Sequence, residues 1–156
     1  MAGKLFENKV VIVTGAGAGI GREYALYFAG EGAKVVVNDL GADRHGGGKG
    51  GESAAKVVDE IKKAGGDAVA NFDTVATREG ADGIIWTALA KYNRLDVLIN
   101  NAGILRDRTL VNMGDFDWDL IMDVPVQRTY LCAQAAARIF KVQKSGGRII
   151  NTTSLA

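Results

Sequence analysis

The chain has 156 residues, 47% of them hydrophobic, enough for one core of ordinary domain size but not for two. Its 19 Lys+Arg against 18 Asp+Glu leave a formal charge of +1, which removes any general electrostatic reason to bind nucleic acid or an anionic membrane. A single cysteine, Cys132, excludes an internal disulfide framework, a single histidine, His45, argues against a Cys/His zinc site, and together they predict a reducing, cytoplasmic setting with no metal.

No leader or membrane span is expected. Residues 1–8 carry charges at Lys4 and Glu7. The longest apolar run near them, residues 10–13, is far short of the roughly 20 residues that cross a bilayer. Glycine is frequent and proline is not, 21 against 1, and the glycines cluster at 15–21, 41–51, 65–66 and 146–147, between apolar segments, as tight turns do.

Residues 9–14 (KVVIVT) are a short β-branched run ending in glycine and read as a strand buried on both faces. Ile20, Tyr24, Tyr27 and Phe28 then recur at helical spacing and predict the inward stripe of a first helix, which Glu31 and Gly32 end. Residues 34–38 are a second strand. Residues 41–51 (GADRHGGGKGG) are a glycine-rich surface loop, with His45 exposed in it. A helix is predicted over 52–64, with Ala54, Val58 and Ile61 on one face and Gly65-Gly66 as its stop. Residues 67–71 form a third strand. Residues 77–92 form a helix with Ile85, Ala88, Leu89 and Tyr92 inward, and residues 95–99 a fourth strand. A long helical stretch over 115–144 is interrupted at Pro125 and closed by Gly146-Gly147, and residues 148–152 are a fifth strand. Strict alternation of strands and helices predicts an α/β protein, a doubly wound parallel sheet with helices on both faces. No linker divides the chain, so residues 1–156 are expected to be one domain.

Between the first strand and first helix stands Thr14-Gly15-Ala16-Gly17-Ala18-Gly19-Ile20-Gly21. Glycines there let the backbone turn sharply and approach a pyrophosphate without an intervening Cβ. The following helix start offers unpaired N–H groups and the positive end of a dipole. The spacing on Gly15, Gly19 and Gly21 is G-x-x-x-G-x-G, and no register of these glycines gives G-x-G-x-x-G. The other glycine run, Gly46 to Gly51, lacks both the preceding glycine and the Ser/Thr after Lys49 that a phosphate loop requires.

With these residues the chain resembles the short-chain dehydrogenases/reductases. Thr14 to Gly21 matches their T-G-x-x-x-G-x-G, Asp39 follows strand two, Asp73 follows strand three, and Asn100-Asn101-Ala102-Gly103 at the end of strand four matches their N-N-A-G. A narrower likeness is to the (3R)-hydroxyacyl-CoA dehydrogenase domains of peroxisomal multifunctional enzyme type 2 and bacterial relatives. It rests on Asn38-Asp39-Leu40-Gly41, the insertion to Gly51, Asn71-Phe72-Asp73-Thr74-Val75, and residues 107–124. The resemblance implies a Rossmann-type sheet in the order 3-2-1-4-5, truncated against the seven strands of the family. It also implies hydride transfer between a nicotinamide and a secondary alcohol or ketone, with a 3-hydroxyacyl thioester as one substrate class.

The family's roles carry over by position. Gly15, Gly19, Ile20 and Gly21 would hold the dinucleotide. Asp39 would accept from the adenine ribose hydroxyls and repel a 2′-phosphate, so NAD is favoured over NADP. Arg44 and Lys49 stand close enough in sequence to offset part of that repulsion. Asp73 would accept from the adenine amino group, with Val75 beside the ring. Asn101, Ala102 and Gly103 would either touch the cofactor or only steady the central sheet. Ser154 matches the serine that positions and polarises the substrate oxygen.

Two departures stand against a complete catalytic set. Four residues beyond Tyr24, Tyr27, Tyr92 and Tyr130 lie Phe28, Glu31, Asp96 and Gln134, none of them the Lys of the family's Tyr-x-x-x-Lys, which is placed beyond Ala156. Val124-Pro125-Val126-Gln127-Arg128 stands where the family has V-N-L-x-G, so Pro125 removes a polar side chain and Arg128 replaces a small residue. The chain is therefore expected to be the cofactor-binding part of an oxidoreductase with a small-molecule substrate, inactive alone. The alternatives are a non-catalytic dinucleotide-binding half-domain and a self-assembling pseudo-enzyme fragment. Ile149 and Ile150 on an unpaired fifth strand predict a homo-oligomer, through that edge or through the long helix 115–144.

Overall fold

A computed structural model of the chain describes residues 4–41, 52–103, 109–115 and 127–153. The elements alternate: β1 (Val10–Thr14), α1 (Gly19–Gly30), β2 (Lys34–Asn38), α2 (Glu52–Lys63), β3 (Asp67–Asn71), α3 (Arg78–Tyr92), β4 (Val97–Asn100), α4 (Arg128–Gln143) and β5 (Arg148–Asn151), with one 3₁₀ turn at Leu110–Asn112. The strands form one parallel sheet in the order β3-β2-β1-β4-β5. This is the doubly wound arrangement expected from the sequence, with all strand C-termini along one edge.

The side-chain period of two divides each inner strand between two cores. Val11, Val13, Val35 and Val37 face α1 and α2, where they meet Ala25, Phe28, Ala54, Val58 and Ile61. Val10, Ile12, Val36 and Leu98 face α3 and α4, where they meet Ile84, Ile85, Ala88, Leu131, Cys132 and Ala136. β-branched residues dominate strands covered on both faces because their stiff side chains fill the pleated surface. Burial pushes the Cys132 thiol up to about 11.

The first helix turns a different face inward than its aromatic spacing predicts. Gly21, Ala25, Phe28 and Ala29 are buried, whereas Ile20 is 62% and Tyr27 54% exposed. Small side chains let the helix axis approach the sheet; of the predicted stripe, Phe28 is buried on that face and Tyr24 packs partly buried against the same core. The third helix keeps Ile85 and Ala88 inward; Leu89 and Tyr92 are half-buried at its margin. Thr77 caps it, its side-chain oxygen accepting from the Gly80 N–H at 3.1 Å. β4 begins two residues later than predicted, because Asp96 is used as a brace. Its carboxylate accepts from the Val10 N–H at 2.9 Å and from both Arg94 Nε and Nη2 at 2.8 and 2.6 Å.

Of the predicted 115–144 helix, Arg128–Gln143 is helical, and Pro125 lies outside the described residues. Ser154 and most of the 41–51 loop, with His45, Arg44 and Lys49, lie outside them too. Among the described residues β5 pairs only with β4, and its Ile149 and Ile150 are 38% and 43% exposed. No helix among the described residues is long and apolar enough to cross a membrane.

Candidate functional site

The parallel sheet brings the ends of β1 to β4 together, and buried polar side chains sit there. The Thr14 hydroxyl closes β1. It donates to the Ile99 carbonyl at 3.3 Å and accepts from the Asn101 and Ala102 N–H groups, both at 3.1 Å. Asn101 Nδ2 donates back to the Thr14 and Gly15 carbonyls, each at 3.2 Å. The glycine turn and the N-N-A-G segment are thus one joint. Two glycines are required by its closeness. Gly15 has φ of +63°, and a Cβ there would lie 2.8 Å from the Ala102 Cα. A Cβ on Gly21 would collide with the Gly15 carbonyl and the Asn101 side chain.

Past the turn, α1 starts at Gly19, which faces open space, with Ala18 as its N-cap. Alanine has no side-chain oxygen to offer the first-turn N–H groups, so no side chain caps them. Ile20 stands exposed on the same turn. A helix start of this kind is suited to an anion.

On the other side of β1, Asp39 is held as an acceptor from three directions. Oδ2 accepts from the Gly17 N–H at 2.9 Å, and Oδ1 from the Gly41 N–H at 2.7 Å and the Ser53 hydroxyl at 3.4 Å. Asn38 and Asn71, in register on β2 and β3, join side chain to side chain at 2.8 Å. Asn38 Nδ2 also reaches the Asp73 carbonyl at 2.9 Å, and Asn71 Nδ2 donates to Asp73 Oδ2 at 2.8 Å. Buried amides are paired here as burial demands. The ladder fixes Asp73 after β3.

These groups enclose an open cleft of about 120 Å³. Gly15, Asp39, Asp73, Val75, Ala102 and Gly103, all named from the sequence, line it together. Gly19, Ile20, Gly21 and Asn101 do not line it; they form the turn and joint beside it. Leu40, Thr74, Asn38 and Arg128 line it without having been singled out as site residues. The signal for Asn38 was a polar residue inside an apolar strand. Arg128 was legible only as a departure, a long cation where a small residue is usual. It stands half-buried at the start of α4, and burial lowers its pKa. Nothing in the described residues explains why it differs.

The family model described as short chain dehydrogenase matches residues 9–156. A peroxisomal hydratase-dehydrogenase-epimerase of Neurospora crassa is 54% identical over 97% of the chain, which covers 16% of that protein. Peroxisomal multifunctional enzyme type 2 of Drosophila melanogaster is 53% identical over 97% of the chain, which covers 25% of it. The chain therefore spans a quarter or less of these relatives. Among solved structures, a 7α-hydroxysteroid dehydrogenase complexed with NADH and 7-oxo glycochenodeoxycholic acid superposes with a TM-score of 0.85 at 33% identity, over 96% of this chain and 55% of its own. The peroxisomal relatives overturn the cytoplasmic expectation. A lone cysteine shows only that no disulfide framework is needed, and it does not separate one thiol-preserving compartment from another.

Proposed function

This chain belongs to the short chain dehydrogenase family, and on that premise we propose that it is the dinucleotide-binding domain of an NAD-dependent oxidoreductase. The reaction is hydride transfer between the nicotinamide and a secondary alcohol or ketone. The substrate class is a 3-hydroxyacyl thioester, as the resemblance implies, and the compartment is the peroxisome, supported by the peroxisomal relatives.

The observation that carries this reading is the cleft itself. It opens beyond the C-terminal edge of the sheet, at the switch between β1 and β4, the place where open α/β sheets take ligands. The residues present fit a dinucleotide. Gly15 and Gly21 keep the turn free of side chains, and the uncapped start of α1, with Gly19 and Ile20, would offer its N–H groups to the phosphates. Asp39, already fixed by three donors, presents its remaining acceptor capacity to the ribose diol. Asp73 and Val75, both lining the cleft, would take the adenine, one by hydrogen bonding and one by contact. Asn101 acts through the joint, while Ala102 and Gly103 form the cleft wall.

The bound dinucleotide supplies the carbon that gives or accepts hydride. By the resemblance, Ser154 would position and polarise the substrate oxygen. A direct test is turnover by the full-length gene product with NAD and a 3-hydroxyacyl thioester, beside its Ser154→Ala variant. The wild type is expected to reduce NAD. The variant should lose about 10²-fold in kcat with little change in KM, as for loss of one donor to a developing charge. Absence of oxidoreductase activity in the full-length product overturns the reading.

A further inference from the structure

A second cleft, about 400 Å³, opens beside the first, and its wall includes the three residues that donate to Asp39: Gly17, Gly41 and Ser53. On the proposed reading, a group added to the ribose 2′-oxygen would project here. The cleft already holds two cations, Arg22 and Lys56. A guanidinium beside an ammonium is a natural phosphate receptor.

Both cations are occupied by carboxylates. Arg22 Nη2 bonds Glu60 Oε1 at 2.5 Å, and Nη1 bonds Glu23 Oε1 at 2.5 Å. Lys56 Nζ lies 3.3 Å from Glu52 Oε2, one helical turn away on α2. Glu52 and Glu60 both line the cleft, with the Asp39 carboxylate held behind its wall. Among the described residues two cations thus face four carboxylates, Glu23 on the rim included, and a 2′-phosphate would add roughly −1.5 to −2 charge to that balance. The pairs differ in strength. Arg22 is two-thirds buried and joins α1 to α2, whereas Lys56 and Glu52 are largely exposed and pair weakly.

We propose that Glu60, assisted by Glu52, is a specificity-determining residue that disarms a latent phosphate site and so excludes NADP independently of Asp39. Asp39 rejects the 2′-phosphate at the ribose. Glu60 removes the guanidinium that would otherwise receive it. This inference rests on the dinucleotide reading of the first cleft. Preference for NAD is then written twice, at the end of β2 and across the α1–α2 contact.

The test is calorimetric titration of NAD and of NADP into the wild type, Glu60→Gln, Glu52→Gln/Glu60→Gln, and Arg22→Gln/Glu60→Gln, with thermal unfolding followed on each. Glutamine keeps the shape and removes the charge. Glu60→Gln is expected to tighten NADP binding roughly tenfold, the worth of one charge-assisted hydrogen bond, with NAD affinity within about twofold of wild type. The double carboxylate variant should gain more, the gain should shrink at high salt, and Arg22→Gln should abolish it. Unchanged NADP affinity in folded variants that bind NAD normally overturns this proposal alone. So does an equal gain for both cofactors, which would mark a general charge effect. Failure of every folded variant and the wild type to bind NAD overturns the dinucleotide reading, and this proposal with it.

Discussion

Thr14 shows how much one side chain carries here. Its hydroxyl accepts the N–H groups of Asn101 and Ala102, 87 and 88 residues away, and among the described residues no other side chain accepts from either. Replacing Thr14 by Val keeps the volume and leaves those donors unsatisfied. Equilibrium urea unfolding should show a loss of about 2–3 kcal/mol, with Thr14→Ser much closer to wild type. The letter Thr14 was legible in the sequence as part of a motif, but its role was not, because spacing along the chain does not show which amides a fold will bring to it. The same holds for Asn38 and Asn71, whose pairing follows from strand register alone. Asp39 and Asp73 were singled out through the resemblance, each just beyond a strand that the apolar pattern had already located. Cys132 has a separate signature. With its thiol pushed up to about 11 by burial, it should resist alkylation in native protein at pH 8 and react fully in denaturant. Fast labelling of the native state would contradict its place in the core.

Elements are fixed by braces at their ends. Asp96 ties the start of β4 to the start of β1. Burial pushes its carboxyl up, but the Arg94 guanidinium, the Val10 N–H and Lys9 together outweigh that and hold it below its ordinary value of 3.8. A carboxyl with a lowered folded-state pKa gives its full stabilisation above the unfolded value and loses it as pH falls through the folded one. Stability should therefore decline below about pH 4, and Asp96→Asn should flatten that limb while lowering stability at pH 7. A chemical-denaturation series between pH 2 and 7 reads both. At α3, removal of the Thr77 cap by alanine should cost about 1 kcal/mol. β2 and β3 were legible to the residue, since each is a short run of alternating or continuous small and branched residues bounded by turns. The inward face of α1 was not. Large letters draw the eye to Ile20 and Tyr27, whereas close packing against the sheet selects Gly21, Ala25 and Ala29.

At the scale of the molecule, alternation of elements predicted the parallel sheet, and the family resemblance supplied its strand order. Composition gave no sign of the peroxisomal setting that the relatives carry.

The central claim is that the cleft between the glycine turn, Asp39 and Asp73 is a working NAD site. It is tested most directly by titrating NAD calorimetrically into the 156-residue chain and its Asp39→Ala variant, with folding checked by circular dichroism on the same samples. The account predicts saturable, one-to-one NAD binding by the wild type, weakened about tenfold or more when the carboxylate is removed. A folded wild-type chain that takes up no NAD, or an Asp39→Ala variant that binds it equally well, would contradict it.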